Sequence, residues 1–196
     1  MGFDEARYTA LLLKAMGLKP LSPSADPRAW ALRALFSPTF HRDCCLTLVA
    51  DAEGPWTAIE WTVLHSGTRS AIMHELGFRG FAPPSSIESS LGVALHELAD
   101  VERGPLARLM AVVQAVDPYS LPSDSAHRRD AGRDGMPVHC ESQRGPLVHR
   151  FSTWSPTQKH DPQHHRYLTA LLDAAGSALR DPQSQRSLAD VRGYLR

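Results

Sequence analysis

The chain lacks any long apolar run: in 196 residues nothing approaches the ~20 consecutive apolar side chains that a membrane span requires, so no transmembrane helix is expected. It also lacks an excess of either charge. Lysine plus arginine and aspartate plus glutamate stand at 21 each, which leaves no global field to draw the protein to nucleic acid or an anionic membrane. Residues 127–196 are mildly basic, with 11 basic against 7 acidic side chains, too small an imbalance to argue DNA binding. Cysteine is scarce and odd in number: Cys44, Cys45 and Cys140. Two adjacent residues and one distant one do not make a disulfide framework, and thiols in a reducing compartment are expected. The opening Met1 to Arg7 carries two acids where an export signal would be basic, and Ala6 occupies the position a myristoylation motif gives to Ser or Thr. A cytoplasmic protein is the expectation.

Common catalytic signatures are missing as well. There is no Gly-x-Ser-x-Gly elbow, no phosphate-binding Walker loop and no glycine fingerprint after a strand. Aromatic and basic residues do not interleave as an RNA-binding sheet would need.

What the chain does have is alternating β-pattern and amphipathic helix. Tyr8, Leu11, Leu12, Ala15 and Met16 recur at helical spacing, and Gly17 supplies a left-handed stop. A connector rich in proline follows over residues 18–28. Trp30 to Phe36 reads as a strand. Cys44 to Asp51 and Trp56 to His65 flank Ala52-Glu53-Gly54-Pro55 and read as a hairpin. In its second arm Ile59, Trp61 and Val63 point to one face, and Ala58, Glu60 and Thr62 to a wetter one. Residues 66–90 hold several glycines and prolines with little periodicity, and are expected to be an insertion loop with a short helical turn near residues 70–76. Leu91 to Leu98 adds a further strand. Leu106, Leu109, Met110, Val113 and Val116 form a helical stripe begun by Pro105 and ended at Asp117-Pro118. Residues 121–135 are polar and are expected to be a flexible loop. A second hairpin, Val138 to Ser142 with Leu147 to Trp154, is read around a four-residue loop, Gln143-Arg144-Gly145-Pro146. Asp161-Pro162 and Asp181-Pro182 each start a helix with a cap and a proline. The fold class is therefore α+β: an antiparallel sheet of five or six strands built from two hairpins, packed against three to four helices, in one domain over residues 1–196.

Several residues could carry chemistry. His160, His164 and His165 cluster beside Asp161 as a possible metal set, although Asp161 as cap puts His160 outside the helix and breaks the spacing. His74-Glu75-Leu76 and His96-Glu97-Leu98 do not continue into a zinc-protease motif, because Phe78 and Asp100 stand where the second histidine belongs. Cys44 and Cys45 point to opposite faces of a strand, one into the core and one outward. Cys140, with His139 and His149 nearby, could meet a base across the second hairpin, though a small core hydrophobe is the simpler role. Trp30, Trp56, Trp61 and Trp154 all lie in or beside strands. Trp56 and Trp154 are the candidate binding residues, since a tryptophan on a solvent-facing sheet makes a strong protein-binding anchor.

The segments Arg133-Asp134-Gly135-Met136-Pro137-Val138, Gly145-Pro146 and His149-Arg150-Phe151-Ser152-Thr153-Trp154-Ser155-Pro156, with Leu32 to His41 earlier in the chain, resemble a pattern in small uncharacterised bacterial proteins. That resemblance implies a sheet-and-helix fold and transfers no site. The functional expectation is a non-catalytic bacterial protein-binding domain of the immunity or inhibitor type. Its partner would be another protein, with no nucleic acid, membrane or cofactor. The competing expectations are a metal-dependent enzyme using the histidine cluster, and a redox regulator acting through a cysteine.

Overall fold

The period-two segments pair into a single antiparallel sheet in the computed structural model, which describes residues 4–50, 57–78, 91–123 and 134–195. The strands are β1 (Trp30–Phe36), β2 (Cys44–Ala50), β3 (Thr57–Leu64), β4 (Val93–Asp100), β5 (Pro137–Arg144) and β6 (Leu147–Trp154). Their order across the sheet is β4-β3-β2-β1-β5-β6. The four-strand meander β1 to β4 thus receives the β5–β6 hairpin on the free side of β1. Five helices complete the α+β architecture: α1 (Glu5–Ala15), α2 (Ser66–Glu75), α3 (Arg103–Val116), α4 (Pro162–Ala178) and α5 (Pro182–Gly193).

Strand register lines up the apolar residues in rows. Trp61 pairs with Leu46, Leu46 with Ala34, Ala34 with Cys140 and Cys140 with Phe151, so one row crosses five strands on one face. Ile59, Trp61 and Val63 are buried, as their alternation implies. Leu109, Leu168, Leu171, Leu172, Leu188 and Val191 of α3, α4 and α5 cover that face. Trp61 brings a polar atom into this core and satisfies it, its indole N–H donating to Ser187 Oγ at 2.8 Å.

The other face is covered too, as the near-continuous apolar runs of β1 and β2 allow. Tyr8, Leu12 and Met16 of α1 and Ile72 of α2 pack on Leu35, Cys45 and Leu64. Cys45 is therefore buried and not outward, and Thr62 is buried with it. Asp4 caps α1 by accepting from Arg7 N, and Gly17 (φ +72°) closes it with Leu18 N donating to Leu13 O at 2.8 Å.

Helix α2 extends the short helical turn expected near residues 70–76, because all of residues 66–75 are helical. Only Thr68 and Ile72 on this helix are buried and no side chain caps its start, so it leaves almost no periodic trace in the sequence. Residues 79–90 lie outside those described. So do residues 124–133 of the expected 121–135 loop, whose first residue, Leu121, is buried and accepts a hydrogen bond from His149 Nε2 at 2.9 Å.

A row of buried charge fastens the 18–28 connector to the second face. Arg33 donates to Thr47 Oγ1 (3.1 Å), Lys19 O (2.6 Å) and Glu141 Oε2 (3.1 Å). Glu141 also accepts from Leu21 N (3.0 Å) and Arg150 Nε (2.8 Å). The proline-rich segment, which cannot supply a ladder of its own, is held by side chains from the sheet.

The second hairpin turns on two residues, Gly145-Pro146, and not on the four expected: Arg144 pairs with Leu147. Gly145 takes φ +55°, as the first position of a tight hairpin turn requires, and its α-carbon faces Pro27, whose Cα would lie 3.1 Å from any added Cβ. Gly145→Ala is expected to lower stability by about 1–2 kcal/mol through backbone strain and this contact. A urea midpoint unchanged from the parent would contradict that account of the turn.

Candidate functional site

The loop joining β1 to β2, residues 37–43, stands at the end of the sheet where β5 begins, β6 ends and α2 starts. It is fixed from several sides. Thr39 donates to Gly135 O through its N–H (2.9 Å) and its hydroxyl (2.7 Å), and Gly135 N returns a bond to Thr39 Oγ1 (3.0 Å). Arg69 of α2 forks onto Asp43, with Nε to Oδ2 at 2.9 Å and an η nitrogen to Oδ1 at 2.7 Å, and also donates to Pro38 O at 2.7 Å. Phe40 N donates to the Tyr194 hydroxyl at 3.3 Å. Asp43 is buried. The bidentate Arg69 fork is the geometry in which a desolvated carboxylate is best compensated. Burial, reinforced by the Asp43 charge, pushes the neighbouring Tyr8 phenol well above its ordinary range.

On this rigid loop the Phe40 side chain is 72% exposed, the most exposed of the large hydrophobic residues described. Beside it opens a cleft of about 790 Å³ whose rim carries Arg42 and Arg186. Both are exposed, and among the described residues neither has an ion-pair partner. His41 sits edge-on to Tyr194 at 5.7 Å between ring centroids, with Nε2 3.7 Å from Asp190 Oδ1. An exposed aromatic flanked by arginines is the composition that dominates binding energy at protein interfaces.

The tryptophans fall in different places. Trp154 ends β6 at this same end of the sheet, partly buried. Its indole lies over Gly135, where an added Cβ would come within 2.4 Å of Nε1. It thereby backs the glycine to which Thr39 is bonded. Trp61 is core and Trp30 packs partly buried against the core. Trp56 lies outside the described residues.

The histidine cluster separates. His164 is buried, with Nδ1 donating to Asp161 Oδ1, while Asp161 Oδ2 accepts from the Thr153 hydroxyl at 3.0 Å. Asp161 thus occupies the cap position of α4 without capping a backbone N–H by its side chain. His165 turns to the segment just after α5, Nε2 donating to Leu195 O at 2.8 Å, and His160 is exposed ahead of the helix. The three imidazoles are not brought together, and among the described residues no group of three or more His, Cys, Asp or Glu is arranged to hold a metal ion.

Cys44, Cys45 and Cys140 are free thiols, each buried. Burial pushes Cys45 up to about 12, with Arg33 and Thr47 pulling the other way, and holds Cys44 and Cys140 well above the ordinary thiol value. Thiols held protonated in this way are poor nucleophiles. The two-residue turn also rules out the alternative in which Cys140 meets His149, and Cys140 is the buried core residue that was the simpler expectation. A four-residue loop would put them opposite each other, whereas Cys140 faces Phe151, and His149 faces Ser142. Sequence reasoning passed over Phe40, Arg42 and Arg186, whose only linear signal is an isolated aromatic in a short turn. No family model matches the chain, and neither a curated protein nor a solved structure matches it.

Proposed function

We propose that this chain is a protein-binding domain, of the kind a small immunity or inhibitor protein represents, and that it engages its partner through the Phe40 loop with Arg42 and Arg186 beside it. One observation carries the reading: a large apolar side chain is held out in water, 72% exposed, by a loop that hydrogen bonds fix from both sides. A flexible loop would lose conformational freedom on docking, whereas a pre-organised one loses little, so the anchor delivers more of its burial energy as affinity. The matching partner surface is an apolar pocket bordered by carboxylates. Trp154, supporting the loop through Gly135, belongs to the same end of the sheet.

The test compares the parent with Phe40→Ala in pull-downs from lysate of the cells that make the protein, followed by calorimetry on the captured partner. Phe40→Ala is expected to weaken binding about 30-fold, the effect of losing a hot spot of ~2 kcal/mol. Because the side chain makes little core contact, thermal stability should stay within about 0.5 kcal/mol of the parent. Equal capture by both proteins would remove Phe40 from the interface.

A further inference from the structure

A second cleft, of about 500 Å³, lies on the other side of the molecule's sheet between α1 and the β5–β6 hairpin, and its walls are mostly apolar: Ala6, Ala10, Leu13, Pro20 and Leu35. At its sheet wall, residues from three separated parts of the sequence form a polar chain. His139 and Ser152 are cross-strand partners, on β5 and β6, and both point to the face that α1 covers. Ser152 Oγ is 2.9 Å from His139 Nδ1. Glu5, from the first turn of α1, places Oε1 3.3 Å from His139 Nε2. The contact with Glu5 is an ion-pair distance without a well-aligned hydrogen bond between the two side chains, and the negative charge there favours the tautomer with its proton on Nε2, in which Nδ1 accepts from the serine hydroxyl. Arg33 and Arg150 border the same cleft one sheet row away, each paired with the Glu141 carboxylate that stands between them.

We propose that this cleft is a catalytic site in which Ser152 is the nucleophile, His139 the base and Glu5 a positioning residue, acting on carboxylic esters with a short apolar acyl group. The hydroxyl, imidazole and carboxylate stand in the order that nucleophilic acyl transfer requires, and that order is recognised by geometry and not by chain position. Ser152 Oγ forms a bond to the ester carbonyl carbon while its proton passes to His139 Nδ1. The bond from that carbon to the leaving alcohol oxygen then breaks, and the alcohol takes the proton. Water, losing a proton to His139, attacks the acyl-serine, and the proton returns to Ser152 as the acid departs. The sum is ester plus water giving acid plus alcohol. Glu5 stabilises the imidazolium formed in each half. The apolar walls select the acyl chain. This site is independent of the Phe40 surface, so either can fail without the other.

The full chain is treated with a fluorophosphonate probe and digested, and the modified peptide is identified by mass. In parallel, hydrolysis of p-nitrophenyl butyrate is followed for the parent, Ser152→Ala, His139→Gln and Glu5→Gln. The adduct is expected on Ser152, with loss of turnover of about 100-fold or more for Ser152→Ala and His139→Gln. Glu5→Gln should lower turnover about 10-fold and shift the pH profile, which a merely structural role for that residue would not do. No adduct on Ser152 in the parent protein, or turnover unchanged in a folded Ser152→Ala variant, would overturn the assignment. Because the labelling is read on the parent, it decides the question even if a variant does not fold.

Discussion

Taking the solution above pH 9.0, the ordinary value of a thiol, should destabilise this protein steeply. Cys44, Cys45 and Cys140 keep their protons in the folded state because burial disfavours the thiolate, most simply seen at Cys45, where the folded value is about 12. Below 9.0 both states are protonated and the full stability is present. Above it the unfolded chain releases protons that the folded chain retains, so stability falls as pH rises, and for Cys45 it continues to fall until about 12. Each thiol contributes a slope of about 1.4 kcal/mol per pH unit, and the three together about 4 kcal/mol. Against a typical domain stability of roughly 5–15 kcal/mol, a few pH units suffice to unfold it. Tyr8 and Tyr167, also raised by burial from 10.0, steepen the loss further along. Urea melts across the alkaline range measure the slope, and Cys45→Ala should remove about one third of it in the first unit. Stability constant to about pH 11 would mean that these thiols are not sealed from water.

Glu141→Ala should be among the most damaging single substitutions on the sheet. Its carboxylate accepts from Arg33, Arg150 and the backbone of Leu21, and the Arg33 side chain is only 7% exposed. Removing the acid leaves a cation inside the protein without its counter-charge, a change that costs about 3–5 kcal/mol. It also frees the 18–28 connector from the face it covers, so increased proteolysis within residues 18–28 should accompany the loss. A Glu141→Ala variant with parent-like urea stability would show the row to be surface charge in solution, where such pairs are worth about 1 kcal/mol or less.

Much of the fold was legible because its signals are local. Alternation at Ile59, Trp61 and Val63 placed those residues inside, and the Asp-Pro pairs at 161 and 181 marked the starts of α4 and α5. What escaped notice depends on partners distant in sequence. Helix α2 buries two side chains and is anchored by Arg69 to Asp43, a bond no periodicity announces. The second layer over Leu35 and Cys45 is matched in β1 and β2 by near-continuous apolar runs in place of alternation, but nothing in those strands says which helices cover them. The candidate sites were hidden for a sharper reason. Reading the β5–β6 turn as four residues shifts the pairing by two, setting His139 against Arg150, whereas the two-residue turn sets it against Ser152. Side chains stay on the same face under such a shift but change neighbours, so one error in turn length conceals the whole Glu5, His139 and Ser152 arrangement. Phe40 escaped because one apolar residue in a turn has no pattern.

The middle position of β1 has a consequence for synthesis. Its neighbour β2 is made almost at once, but Leu35 finds its other neighbour, His139, about a hundred residues later. A nascent chain carrying only the first four strands therefore exposes an open backbone edge along β1, the kind of border to which foreign strands adhere. Closure depends on the arrival of the last hairpin, and until then the growing polypeptide relies on dilution, chaperones or speed to stay single.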